Sequence, residues 1–306
     1  MRLDDYDDGI QVRDQRGGNF GGGGGLGGGG GGLGLLLSFL PMLLGNRKMG
    51  CGTILIIGVV GYFLVAGGGL NLGSMLGGGQ PATQGQVQGQ GGSNLEESCN
   101  IDASSREVCN TLSSLDKTWG QMIQGYTRPT LTFFSQNGQS GCGAAQSAMG
   151  PFYCPADNGV YLDNDFFSEL DQKFGAAGDF ARRYVIAHEV GHHIQTITGI
   201  SAKVRQLQSR ASEAEGNALQ VRMELQADCL AGVWAAKNKD RLESGDIEEG
   251  MRAANAIGDD TLMRNAGRRP VPESFTHGTS EQRKQWLNRG LQSGNPNNCN
   301  TFEGIF

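Results

Sequence analysis

The chain has only four histidines among its 306 residues, yet three of them crowd together at His188, His192 and His193. It has no CxxC pair, which removes the usual cysteine zinc site even though seven cysteines are present. It has no basic stripe: the net charge is −6 with signs mixed along the chain, so nucleic acid is not an expected partner. Its 52 glycines have no three-residue period, which excludes collagen. No Lys or Arg occurs between Lys48 and Arg106.

What is present divides the chain unevenly. Residues 1–100 hold 31 of the glycines and the remainder hold 21. Residues 1–20, rich in acids and poor in apolar groups, read as a solvated tail. The runs Gly21–Gly25 and Gly27–Gly32 bury too little surface to offset their chain entropy. Leu33–Leu44, which contains Pro41, falls short of the roughly 20 helical residues that span a bilayer. Thr53–Ala66, extended by its flanks from Gly52 to Leu70, is uncharged and long enough for a marginal span. Arg47 and Lys48 precede it, so the positive-inside bias puts the N-terminus in the cytoplasm and everything after the span outside. The expected organisation is a disordered Gly-rich tail (1–50), one transmembrane helix (51–72), a flexible linker (73–94) and a folded domain (95–306).

Setting aside Cys51 at the membrane edge, six cysteines remain. An even number in an oxidising compartment predicts three disulfides. Sequence alone allows fifteen connectivities; the expected set is two local pairs, Cys99–Cys109 and Cys142–Cys154, with Cys229–Cys299 tying the C-terminal tail to a helix. Helices are predicted over Val108–Gly125, Asn164–Phe174, from an Asp179 N-cap to about Gly199, over Ala202–Lys239 as one or two helices, and over Ile247–Ala256 and Ser280–Leu291. Strands are predicted at Thr130–Ser135, Phe152–Cys154 and Val160–Asp163, with Asp157-Asn158-Gly159 turning between the last two.

The segment Ala187-His188-Glu189-Val190-Gly191-His192 contains HExxH. At i and i+4 of a helix, His188 and His192 share a face and can reach one zinc ion. Glu189 beside them has the place of a general base. The metzincin extension fails, because position 195 is Gln and position 198 is Thr. A third ligand must come from elsewhere, with Glu224, Asp228 and His277 as candidates. Glu224 and Asp228 lie at i and i+4 in an apolar helix, where buried carboxylates are costly unless paired or metal-bound. One could ligate while the other accepts the second N–H of a ligand histidine. His193 points about 100° away from His192 and reads as a packing residue.

These motifs, together with Gly150-Pro151-Phe152-Tyr153-Cys154-Pro155, Val160-Tyr161-Leu162-Asp163 and His277-Gly278-Thr279-Ser280-Glu281-Gln282-Arg283, resemble the neutral zinc metallopeptidases predicted in bacteria. The resemblance covers essentially the whole chain. It implies a membrane-anchored protein with a zincin-like α+β domain, mostly helical with a small sheet. It also implies zinc held by His188, His192 and Glu224 in a gluzincin-like arrangement, with Asp228 orienting a ligand histidine. His277 is then expected to donate to the oxyanion; Arg283 is either a second donor or the partner of a carboxylate. The activity implied is zinc metalloendopeptidase hydrolysis of a peptide or protein substrate outside the membrane. The alternative is a membrane-anchored binding or assembly protein with a closed, structural zinc site completed by His277. One of the strands before the zinc helix is expected to receive substrate backbone.

Overall fold

The computed structural model describes residues 1–4, 6–18, 95–175 and 177–306. In chain order the elements are β1 (Gln11–Asp14), α1 (Leu95–Asn100), α2 (Ala103–Met122), β2 (Thr130–Phe134), the hairpin β3 (Asn137–Ser140) and β4 (Gly143–Gln146), then β5 (Phe152–Cys154) and β6 (Gly159–Asp163). The helices α3 (Asp165–Phe174), α4 (Asp179–Ile197), α5 (Ile200–Gln208), α6 (Glu213–Lys237), α7 (Asp246–Ala256), α8 (Asp259–Asn265) and α9 (Ser280–Ser293) complete the chain. The fold is α+β, mostly helical with a small sheet, as expected.

The four-stranded sheet has the order β1-β2-β6-β5, parallel across the first three strands and antiparallel at β5. Successive side chains of a strand face opposite ways. Leu131, Phe133, Val160 and Leu162 therefore enter the main core with α2 and α4. Phe134 and Tyr161 enter a smaller core with Phe152, Ala145 and Met149 beneath the hairpin. Both faces are covered, which suits parallel strands. Asn158, with φ of 53°, makes the turn into β6 that its Asp-Asn-Gly sequence announces.

Residues 1–18 are not a solvated tail. Val12 and Arg13 pair with Leu131 and Thr132 in β2, and Met1, Leu3 and Ile10 are buried in the main core. The Met1 amino group lies 2.8 Å from Asp246 and 3.2 Å from Asp179. Arg16 binds Asp14, donates to the Ser98 carbonyl at 2.9 Å and lies over Phe133. The folded domain thus begins with this segment rather than at residue 95. Residues 6–18 therefore pack in one body with the elements that follow residue 95. The structure gives no support to the expected single crossing with a cytoplasmic N-terminus and an outer domain. The expected span at 51–72, the short apolar segment and the linker lie outside the described residues; among the described residues no helix is long and apolar enough to cross a membrane.

All three disulfides form as expected: Cys99–Cys109, Cys142–Cys154 and Cys229–Cys299. Asp179 is the first helical residue of α4, and Gly178 occupies the cap with φ of 127°. The segment 202–239 divides into α5 and α6 because Ser212 and Glu215 form a reciprocal capping box that starts a new helix.

Two close approaches set the helix layer. A Cβ on Gly191 of α4 would sit 2.9 Å from the Ala227 Cα of α6. A Cβ on Gly290 of α9 would lie 1.9 Å from the Cys229 carbonyl oxygen of α6. Helix α6 is thereby held between α4 and α9.

Candidate metal centre

The α4–α6 contact brings HExxH to Glu224. The rings of His188 and His192 lie 4.8 Å apart, edge to face. His188 Nε2 is 3.1 Å from Glu224 Oε2, and His192 Nε2 is 3.5 Å from Glu224 Oε1. One ligand atom from each of the three residues falls within 4.8 Å of the others. Two imidazole nitrogens and a carboxylate oxygen converging in this way form a donor set suited to zinc. Asp228 and His277, the other candidates, are not in that group.

Each member of this trio is held from behind. Asp228 Oδ1 lies 2.8 Å from His188 Nδ1, so a proton there leaves Nε2 free to face Glu224. Asp228 also accepts from the Tyr184 hydroxyl at 2.6 Å and from Arg283 Nε and Nη2, both at 2.8 Å. Arg283 is buried and spent on this carboxylate; of its two expected roles the geometry gives the pairing one. Gln195 does for His192 what Asp228 does for His188. Its Oε1 lies 2.9 Å from His192 Nδ1, and its amide donates to the Met223 carbonyl at 2.7 Å and to Gln226 Oε1 at 3.1 Å. Gln220 donates to Glu224 Oε1 at 2.8 Å.

Burial opposes charge on every member, and the neighbours decide the outcome. Desolvation lowers the His188 imidazole, but the Asp228 charge and its hydrogen bonds to Asp228 and Glu224 prevail and push it up to about 9. His192 is likewise raised, against desolvation, by Glu224. Desolvation raises Glu224, yet His192 and His188 hold it well below the carboxylate range. Asp228 is pulled down to about 2 by Arg283 and His188, against its burial. Of the three carboxylates only Glu189 is raised, because desolvation outweighs the two imidazoles. Its Oε2 is buried without a hydrogen-bond partner among the described residues. An orphaned carboxylate oxygen beside a convergent donor set fits a metal site in which that oxygen serves a reacting group.

His277 is buried ahead of α9, with Nδ1 2.9 Å from Asp259 Oδ1. Asp259 Oδ2 also accepts the backbone N–H of Thr276 and His277, each at 2.7 Å, and of Gly278 at 3.1 Å. The loop is thus wound around one carboxylate, and the imidazole is raised by Asp259 and by the more distant Glu224, against desolvation. His193 is a packing residue, as expected: Nε2 lies 2.6 Å from the Thr127 carbonyl and Nδ1 3.2 Å from the Tyr153 hydroxyl.

The sequence reading missed Gln195, Gln220 and Asp259. The first two carried a signal, since each is a polar residue three or four positions from a ligand on a helix that is otherwise apolar there. Asp259 carried none, because only the tertiary fold brings it to residue 277.

A cleft opens at the metal group, lined by Tyr153, Glu189, His192, Val204, Met223 and Glu224 among others.

The chain is similar to an uncharacterized protein, YpfJ, of Escherichia coli K12: 47% identical over 265 residues, covering 85% of this chain and 88% of that protein. It is also similar to the uncharacterized protein Rv2575 of Mycobacterium tuberculosis H37Rv, 43% identical over 208 residues, covering 64% of this chain and 69% of that one. No solved structure matches. The family model described as "Putative neutral zinc metallopeptidase" matches residues 1–302, with the HExxH helix and Glu224 inside the match, and the chain belongs to that family.

Proposed function

We propose that the protein is a zinc-dependent peptidase that hydrolyses peptide bonds. The observation that carries this reading is the convergence of His188, His192 and Glu224 beside the orphaned, buried Glu189 at the floor of an open cleft. His188, His192 and Glu224 would hold the zinc, whose Lewis acidity would polarise the scissile carbonyl and acidify water. Glu189 takes the proton of the attacking water and returns it to the leaving amine. Its desolvated carboxyl, raised above the usual range, is a better base than an exposed glutamate. His277, its Nδ1 directed by Asp259, donates from Nε2 to the developing oxyanion, a contact worth about 3 kcal/mol. Asp228 and Gln195 fix the tautomers of the two ligand histidines. Of the two candidate strands, β5 lies at the sheet edge and β6 inside it, so β5 is the one free to take substrate backbone.

A closed structural site would need a fourth ligand from His277. Its Nδ1 is turned to Asp259, and it is absent from the ligand group. Three disulfides favour an oxidising compartment for the folded part. With β1 in that part, cysteines introduced at the exposed positions Asp8 and Arg269 should react with an impermeant thiol reagent from the same side of the membrane.

The test of function is zinc analysis of the full chain together with cleavage of an internally quenched peptide library. Glu189→Gln should retain zinc and lose about 10²–10⁴ in kcat; unchanged turnover overturns the assignment. Glu224→Ala should lose the zinc, and full occupancy would move the third ligand elsewhere.

A further inference from the structure

The residues around the cleft include one cationic side chain that the chemistry above does not use. Arg205, on α5, lines the same cleft as Glu189, His192 and Glu224, and no other Lys or Arg does so among the described residues. Arginines elsewhere near the site are committed. Arg283 is held by Asp228, and Arg222 donates to the Thr301 carbonyl. No carboxylate among the described residues comes within ion-pair distance of Arg205, and its side chain is exposed at the mouth. Its charge nevertheless reaches the wall, where it favours ionisation of the Tyr153 phenol against the burial that disfavours it.

Between the mouth and the floor the lining carries Val204, Met223 and Tyr153 beside the polar side chains of Thr196, Ser201 and Gln220. Val204 and Met223 are almost fully buried and Tyr153 nearly so. At the floor stand two carboxylates, Glu189 and Glu224. A divalent cation would balance both, leaving the guanidinium of Arg205 as the net charge of the cleft. A short apolar stem ending in an anion complements that arrangement: methylenes against Val204 and Met223, a planar carboxylate against the guanidinium fork.

We propose that Arg205 binds a carboxylate of the substrate, so that the preferred substrates are peptides presenting an acidic side chain or a free C-terminal carboxylate beside the cleaved bond. This rests on the peptidase reading of the same cleft. The two sources share one chemistry and are separated by experiment.

The experiment compares the zinc-loaded full chain with Arg205→Gln and Arg205→Glu. One arm uses C-terminally amidated quenched peptides matched except for Glu, Gln or Lys at each position in turn. The other uses peptides without acidic residues, with the C-terminus free or amidated. The wild type should prefer the carboxylate member of one arm by about tenfold in kcat/KM, chiefly through KM, as expected for a charge-assisted hydrogen bond worth somewhat more than a surface ion pair. That preference should fall to about unity in Arg205→Gln and turn toward Lys in Arg205→Glu. The arm showing the preference identifies the source. No preference in the wild type, or the same preference in all three proteins, overturns the proposal. Fluorescence anisotropy of labelled Glu and Gln peptides, with both C-termini, on wild type and Arg205→Gln supplies a readout independent of turnover. If no peptide is cleaved but binding retains the Arg205-dependent preference, the peptidase reading fails and the carboxylate site stands.

Discussion

Asp228 and Asp116 are both buried in long helices, and their chemistry diverges. Asp228, on α6, is fully enclosed and still ionised, its carboxyl at about 2, because Arg283 and His188 compensate the burial. Asp116, on α2, is 4% exposed, and desolvation pushes it up to about 6. Its company is the Tyr126 hydroxyl at 2.6 Å and a guanidinium, Arg128, 3.9 Å away. Depth alone does not set the state of a buried acid; the partners brought to it do. Asp259 takes a third course: against desolvation, His277 and then the backbone N–H groups hold it below its ordinary value. Glu189 apart, the metal side of the molecule has compensated its buried carboxylates, and the sheet side carries one that is compensated poorly.

The comparison can be broken at several points. The largest effect should come from Arg283→Leu, which strands Asp228 without its guanidinium. A loss of about 3–5 kcal/mol is expected in denaturant unfolding, and a change below 1 kcal/mol would show that Arg283 is not the compensating charge. Asp228→Asn removes the acceptor behind His188 while keeping the shape. Zinc affinity should fall about ten- to hundredfold in competition with a chelator, and unchanged affinity would assign the orientation of His188 to Tyr184 and the helix alone. Asp259→Asn should leave zinc content intact and lower kcat about tenfold by loosening His277; loss of zinc instead would make His277 a ligand.

The last effect has the opposite sign. The Asp116 carboxyl lies higher in the folded chain than its ordinary 3.8. The native state therefore holds the proton more tightly, and this group's contribution to stability falls as pH rises from about 4 to about 6, the penalty being complete above that. Asp116→Asn should raise stability by about 1–3 kcal/mol at pH 7.5. The gain should vanish below pH 4, as read from thermal unfolding at both pH values. A gain that persists in acid would point to packing rather than charge.

Much of the site was legible because its signals are local. HExxH and ExxxD each place two residues on one helical face through the 3.6-residue period, and the convergent trio and Asp228 follow from those spacings and the resemblance. The two close disulfides were legible for the same reason. The errors occurred where partners are far apart in the chain. The four residues of β1 sit in an acidic stretch beside a glycine run, and their strand character exists only through pairing with β2, more than a hundred positions away. The acceptor for His277 lies 18 positions upstream with no periodic relation to it. Nothing in the local sequence sets Arg205 apart from the other charges of its helix; the cleft beside it does.

By itself, then, the sequence determined the α+β class, the HExxH helix, the carboxylate helix and the even set of cysteines, because each is encoded in spacings of a few residues. Tertiary structure alone decided that the first eighteen residues belong to the domain, that Arg283 serves Asp228, that Gln195 and Asp259 back the histidines, and which arginine faces the cleft. Those outcomes depend on close passages such as Gly191 against Ala227 and Gly290 against Cys229. Helix crossings of that kind fix which distant side chains share a low-dielectric space, and no local pattern in the chain encodes that choice.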